Sequence, residues 1–228
     1  MDKLEQTVAW LKQGLDAYGQ DIVLASSFGA EDVVLLDILH QQGLDMRVIS
    51  LDTGRLPQET YDVMDKWRKK TRLRIDIYFP DASDVEAMVK QDGVNLFYDS
   101  IEKRKLCCHV RKILPLKRAL SGAKAWVTGL RQEQADSRAD MQAIEDDKVF
   151  GLKKFNPLIM WTAQDVWDYI QSNDVPYNAL HDQFYPSIGC APCTRAIAVG
   201  EDPRAGRWWW EQDDAVAECG LHVSPIKK

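Results

Sequence analysis

Leu4, Val8, Leu11 and Leu15 recur at intervals of three and four, so the chain opens with an amphipathic helix. Ile22-Val23-Leu24-Ala25 is a short unbroken apolar run that reads as a buried strand. A turn follows at Ser26-Ser27-Phe28-Gly29-Ala30, and Glu31 to Gln42 reads as a helix stopped by Gly43. Met46 to Leu51 is the next strand, Asp52-Thr53-Gly54 a loop, and Pro57 suits the first turn of a helix running to about Lys70. Leu73 to Phe79 is a third strand. This β–α–β–α–β alternation predicts a parallel sheet with helices on both faces.

The second half has weaker periodicity. Cys107 to Leu120 reads as a helix that Pro115 would kink, and Ala125-Trp126-Val127-Thr128 as a strand ending at Gly129. Arg131 to Asp140 is polar and reads as a loop, Val149 to Phe155 as a strand, and Thr162 as the N-cap of a helix to Gln171. From Asn173 onward proline and glycine thin out regular structure. With no repeat and no strong linker, the expected organisation is a nucleotide-binding α/β domain over residues 1–200 and a flexible functional tail over 201–228.

Composition narrows the function. A net charge of −6 over 228 residues argues against a general nucleic-acid binder. The start at Met1-Asp2-Lys3-Leu4-Glu5 carries no apolar signal segment and no apolar run is long enough to span a bilayer, so a cytoplasmic protein is expected. Five cysteines in a reducing compartment do not form a disulfide framework. They fall into two close pairs, Cys107-Cys108 and Cys190-Ala191-Pro192-Cys193, and a lone Cys219. The division suggests a metal site plus a reactive thiol. Adjacent cysteines on a helix diverge by about 100°. They suit the separate irons of a polynuclear cluster, so a four-iron, four-sulfur centre fits better than zinc. A structural zinc site and four buried free thiols are the alternatives.

Two loops leave the carboxyl ends of the first strands, where open parallel sheets bind ligands: Ser26 to Asp32, and Leu51-Asp52-Thr53-Gly54. The first runs into a helix N-terminus, yet has neither the Lys-Ser/Thr ending of a phosphate loop nor three spaced glycines. It reads equally well as a plain strand–turn–helix junction. Lys112, four residues after Cys108, lies on that cysteine's helical face. Arg131, Arg138, Arg204 and Arg207 offer guanidinium forks for a sulfate or phosphate dianion, whereas Trp208-Trp209-Trp210 reads as packing. Cys219, in Glu218-Cys219-Gly220-Leu221-His222, has a glycine joint and a nearby histidine, as a mobile nucleophile would.

Together these pieces resemble the adenylyl- and phosphoadenylyl-sulfate reductases, the bacterial iron–sulfur assimilatory type above all. The matching segments are Ser26 to Asp32, Leu51 to Gly54, Cys107 to Lys112, Gly129-Leu130-Arg131, Cys190 to Arg195, Gly206 to Glu211 and Glu218 to His222. The resemblance implies an adenine-nucleotide α-hydrolase-like fold with a modified pyrophosphatase-type loop, and one 4Fe–4S cluster on Cys107, Cys108, Cys190 and Cys193. It implies that Ser26, Ser27, Phe28, Gly29, Asp32, Leu51, Thr53 and Gly129 hold the adenosine. Lys112, Arg138, Arg204, Arg207 and His222 would surround the phosphate–sulfate group. Cys219 would attack the sulfur of adenylyl sulfate and expel AMP, and reduced thioredoxin or glutaredoxin would release sulfite from the S-sulfocysteine. A homo-oligomer stays open. The competing readings are a phosphoadenylyl-sulfate or dual-specificity reductase, a tRNA thiolation enzyme with a related loop, and a zinc-stabilised interaction module.

Overall fold

The computed structural model of the protein describes residues 2–134 and 140–211. Arg138, Cys219 and His222 therefore lie outside the described residues. The chain forms two compact units. The first takes the described residues up to Ser50, Asp62–Asp76 and Leu120–Asn178; the second takes Leu51–Tyr61, Ile77–Ala119 and the described residues from Ala179 onward.

In the first unit, α1 (Lys3–Tyr18) starts from a capping box. The Asp2 carboxylate accepts from the Glu5 N–H at 2.7 Å, and Glu5 accepts from the Asp2 N–H at 3.2 Å. β1 (Ile22–Ala25), α2 (Ala30–Gln41) and β2 (Arg47–Leu51) follow as the apolar pattern predicts. α2 is apolar nearly all round, and Val33, Val34, Leu35, Leu36, Ile38 and Leu39 are all buried, as a core helix requires. α3 (Gln58–Lys70) and β3 (Ile75–Tyr78) complete the alternation. The helices α4 (Ala82–Asp92), α5 (Ile101–Cys108) and α6 (Leu114–Ala119) precede β4 (Ala125–Val127), β5 (Ile144–Asp147), β6 (Leu152–Phe155) and α7 (Ala163–Ser172).

The sheet order is β3-β2-β1-β4-β6-β5. β1 pairs in parallel with β2 and with β4, and β4 in parallel with β6; only β5 pairs antiparallel, at the edge. The chain thus works outward from β1 to β3 and returns to β4 on β1's other side. That reversal is a topological switch point, and the loops after β1 and β4 leave it. The expected strand over 149–155 is shorter, and β5 was not expected: its acidic sequence, Ile144-Glu145-Asp146-Asp147, lacks apolar alternation. α7 starts at the expected N-cap, where Thr162 Oγ1 accepts from the Asp165 N–H at 3.1 Å.

In the second unit the helix expected from Cys107 begins six residues earlier, at Ile101, where Ser100 caps it by accepting from the Lys103 N–H at 3.2 Å. Its polar first turn, Glu102-Lys103-Arg104-Lys105, hides the helical period. The expected kink takes the form of a π turn over His109–Ile113, with Leu114 N–H bonded to the His109 carbonyl five residues back. Pro115 has no N–H for a regular ladder at this point. Beyond Asn173 the described residues form only short 3-10 turns.

Candidate functional site

The loop after β1 is tied down by its own side chains. Ser26 Oγ accepts from the Phe28 N–H at 3.1 Å, and Asp32 Oδ2 accepts from both the Ser27 N–H, at 2.5 Å, and the Ser27 hydroxyl, at 2.7 Å. This internal lacing holds Phe28 at φ +59°, a left-handed conformation costly for a bulky residue, with its ring buried. Gly29 then caps α2 by backbone alone. Burial pushes the Asp32 carboxyl up to about 6, against the two Ser27 hydrogen bonds that pull it down. Gly129, after β4, is required here: a Cβ would run into Asp32 Oδ1 and press on Glu31.

Arg131 is not free to converge on a dianion as its sequence suggested. Its Nε donates to Glu31 Oε1 and its Nη1 to Glu133 Oε2, both at 2.9 Å, with the side chain nearly buried. With Asp32 and Glu31 in the first turn of α2, this loop is unsuited to a phosphate cradle and better suited to an uncharged nucleoside.

In the second unit, Asp52 Oδ1 accepts from the Gly54 N–H at 2.7 Å and from the Tyr61 hydroxyl at 2.9 Å. Burial and the Asp52 carboxylate push the Tyr61 phenol up to about 12. Thr53 Oγ1 lies 3.2 Å from Cys190 Sγ, and the Thr53 carbonyl accepts from Arg111 Nη1 at 2.7 Å. The Ala191 N–H donates to the Arg55 carbonyl at 2.8 Å, fastening the Cys190–Cys193 turn to this loop. Gly54 needs its glycine for φ +71°.

All four described cysteines are free, buried, and line one cavity. Cys107 and Cys108 come from the end of α5, Cys190 and Cys193 from a 3-10 turn with Pro192 inside it. Arg55, Arg104, Arg111, Lys112 and Trp208 complete the walls. Burial pushes the Cys107 thiol up, with Arg111 and Lys112 opposing; burial and Cys190 push the Cys193 thiol up to about 12, with Lys112 and Arg207 opposing. Such thiols release protons only to a metal. Among the described residues no three His, Cys, Asp or Glu side chains converge as ligands of one ion. The thiols instead surround a volume, the arrangement a polynuclear sulfide centre needs. Two buried N–H donors in the same walls, Trp208 Nε1 and Arg111 Nε, have no protein acceptor among the described residues. Donors of this kind suit an anionic sulfur-rich group, so the residues present fit a thiolate-ligated cluster.

The residues after this turn are laced back onto it. Thr194 and Arg207 form an isolated antiparallel bridge, and the Arg195 N–H donates to the Gly206 carbonyl at 2.9 Å. Arg207 Nη1 donates to Ser187 Oγ at 3.2 Å, and a Cβ at Gly189 would occupy the guanidinium's place. Trp208, at φ +48° and 2% exposed, lies between the guanidinium of Arg104 at 4.6 Å and that of Arg207 at 4.7 Å.

Comparison with known proteins adds the lineage. The family model of the phosphoadenosine phosphosulfate reductase domain matches residues 21–196. The chain belongs to this reductase family. Its relatives include the adenosine 5'-phosphosulfate reductase of Allochromatium vinosum, 53% identical over 201 residues, covering 88% of this chain and 78% of that one. The enzyme of the same name from Burkholderia cepacia is 46% identical over 224 residues, 98% of this chain and 89% of its own. Among solved structures, phosphoadenylyl-sulfate reductase from Candida auris superposes with TM-score 0.72 at 28% identity, over 84% of this chain and 90% of that one. The adenine-nucleotide α-hydrolase-like fold expected from the resemblance is thereby borne out.

Of the residues the family resemblance singled out, the first unit brings together Ser26, Ser27, Phe28, Gly29, Asp32 and Gly129. The second brings together Thr53, Lys112, Arg207 and the four cysteines, with Leu51 half-buried at the end of β2 and Arg204 opening the turn that ends at Arg207. Arg55, Arg104 and Arg111 were not expected as cavity walls. Arg111 alone had a usable signal: it follows Cys107 by four residues, the spacing that places Lys112 after Cys108. The packing reading of the three tryptophans holds for Trp208, whereas Trp209 is 42% exposed. No helix among the described residues is long and apolar enough to cross a membrane.

Proposed function

We propose that this chain reduces adenylyl sulfate to sulfite and AMP, as a step of sulfate assimilation toward cysteine. The cavity lined by four buried thiols, with Lys112 in its wall, carries this reading within a family whose relatives bear the adenosine 5'-phosphosulfate reductase name. Cys107, Cys108, Cys190 and Cys193 would hold one 4Fe–4S cluster. When bound, that cluster supplies a fixed electrostatic body beside Lys112 rather than net electrons.

The remaining steps belong to the chain's own side chains. The loop Ser26 to Asp32, with Leu51, Thr53 and Gly129, binds the adenosine. Lys112, Arg138, Arg204, Arg207 and His222 neutralise the phosphate–sulfate oxygens and the charge growing on the leaving phosphate. Cys219, in a catalytic segment 201–228 that follows the nucleotide-binding region 1–200, attacks the sulfur as its thiolate. The new S–S bond forms as the S–O bond breaks, and AMP leaves with the electron pair. Reduced thioredoxin or glutaredoxin then attacks Cys219 Sγ and displaces sulfite; its second thiol resolves the mixed disulfide and restores the Cys219 thiolate. The two thiols supply both electrons. The setting is the reducing cytoplasm.

The anaerobic protein mixed with adenylyl sulfate and weighed intact is expected to gain one SO3 on Cys219. Cys219→Ser should gain none and lose sulfite formation by at least about a thousandfold; sulfite at the native rate from that variant removes the proposal. The likeness to the Candida auris enzyme keeps phosphoadenylyl sulfate as a second substrate reading, and competition between the two nucleotides at equal concentration decides between them.

A further inference from the structure

Arg104 is completely buried, and it is held by a fork-to-fork pair: Nε donates to Glu211 Oε1 at 2.7 Å and Nη2 to Glu211 Oε2 at 2.8 Å. The Glu211 side chain is itself only 5% exposed. A pair this dry and bidentate holds direction as well as distance. Arg104 sits one turn before Cys107 and Cys108 on α5, and its guanidinium also covers the Trp208 ring. Around Glu211 the backbone is fixed too. Its N–H donates to the Trp208 carbonyl at 2.8 Å, and Trp210 Nε1 donates to the Phe97 carbonyl at 3.2 Å.

Cys219 follows Glu211 by eight residues, a span of at most about 28 Å of extended chain. We infer that the Arg104–Glu211 pair is a positioning device for the reaction: it fixes the point and direction from which the chain leads to Cys219, and ties both to the helix bearing Cys107 and Cys108. The inference rests on the reading of Cys219 as nucleophile. Neither residue is called on to touch substrate.

The test is single-turnover sulfonation of Cys219, followed by intact mass over a range of adenylyl sulfate concentrations, with AMP affinity and visible absorption measured alongside. Glu211→Gln keeps the shape and removes the charge. The maximal sulfonation rate should fall at least tenfold while the half-saturating substrate concentration, AMP affinity and absorption stay within twofold. Glu211→Asp, which keeps the charge, should recover part of the loss. A native rate in Glu211→Gln overturns the inference, as does a parallel fall in rate and AMP affinity, which marks a general structural role. Should Glu211→Gln fail to fold, Arg104→Lys decides: a slowed rate with native AMP affinity supports the anchor, and any other result overturns it. Cys219→Ser run in parallel separates the two failures. A sulfonate adduct on that variant sinks the nucleophile assignment, whereas its absence beside a fully active Glu211→Gln sinks only the anchor.

Discussion

Trp67 in the first unit and Trp208 in the second are both buried, yet their surroundings have little in common. Trp67 packs among Leu, Val and Ile side chains and gives its indole proton to the Pro176 carbonyl at 2.9 Å. Trp208 stacks between two guanidiniums in a cluster that includes cysteines. The first unit is held by apolar area, at roughly 1.5–3 kcal/mol for each fully buried Leu, Ile, Val or Phe. The second has a small apolar cluster of which Cys107, Cys190 and Cys193 are members, and cations in its walls. Its stability should therefore depend on what the thiols bind, while the first unit's should not.

Metal removal gives the strongest way to break that contrast. In Cys190→Ser, or after chelation, amide exchange across Ile101–Cys108 and 109–119 should quicken by about a thousandfold, roughly 4 kcal/mol of lost protection. Exchange in α2 and β1 should stay unchanged; equal loss in both units, read by mass spectrometry, would end the distinction. Next in size, Leu36→Ala on α2 should cost about 3 kcal/mol by urea unfolding, because Leu36 is fully buried and leaves a cavity. It should leave any metal content untouched.

The smallest effect concerns pH. Asp32 titrates at about 6 in the folded protein against an ordinary 3.8, so the fold favours the protonated carboxyl. Stability is fullest below about pH 4 and declines as pH rises toward 6, a loss of at most about 3 kcal/mol. Asp32→Asn, which keeps an acceptor for Ser27, should stabilise the protein above pH 6 by about 1–3 kcal/mol. The gain should vanish near pH 4, as followed by the urea midpoint. A gain independent of pH would mean that the carboxyl's burial is not its cause.

The first unit was legible because burial writes itself as pattern: Ile22 to Ala25 and Glu31 to Gln42 gave β1 and α2 within a residue of their ends. β5 escaped because an edge strand paired on one side can be almost wholly acidic. In the site, the cysteine spacing and the Ser26 to Asp32 loop identified themselves chemically. Three things did not. Arg131 looks like any exposed arginine until Glu31, a hundred residues away, is seen beside it. Arg104 looks like part of a charged helical turn until Glu211 closes on it. Arg55 becomes a cavity wall only because its guanidinium reaches the Val94 carbonyl, at 2.6 Å, and lies over Phe97. Long-range ion pairs leave no local signature, since the partner's position in sequence is arbitrary.

The π turn at His109–Ile113 adds one residue to a stretch that would otherwise wind as a regular helix. Each residue in a regular helix advances the face by about 100°. A natural or engineered deletion of one residue there would let the ladder close at ordinary pitch, but would swing buried Leu116 and Ala119 about a quarter turn out of phase with Cys107 and Cys108. Spacing between the paired cysteines and the helix that follows is therefore set by geometry, and length changes in this stretch should be tolerated far less readily than substitutions.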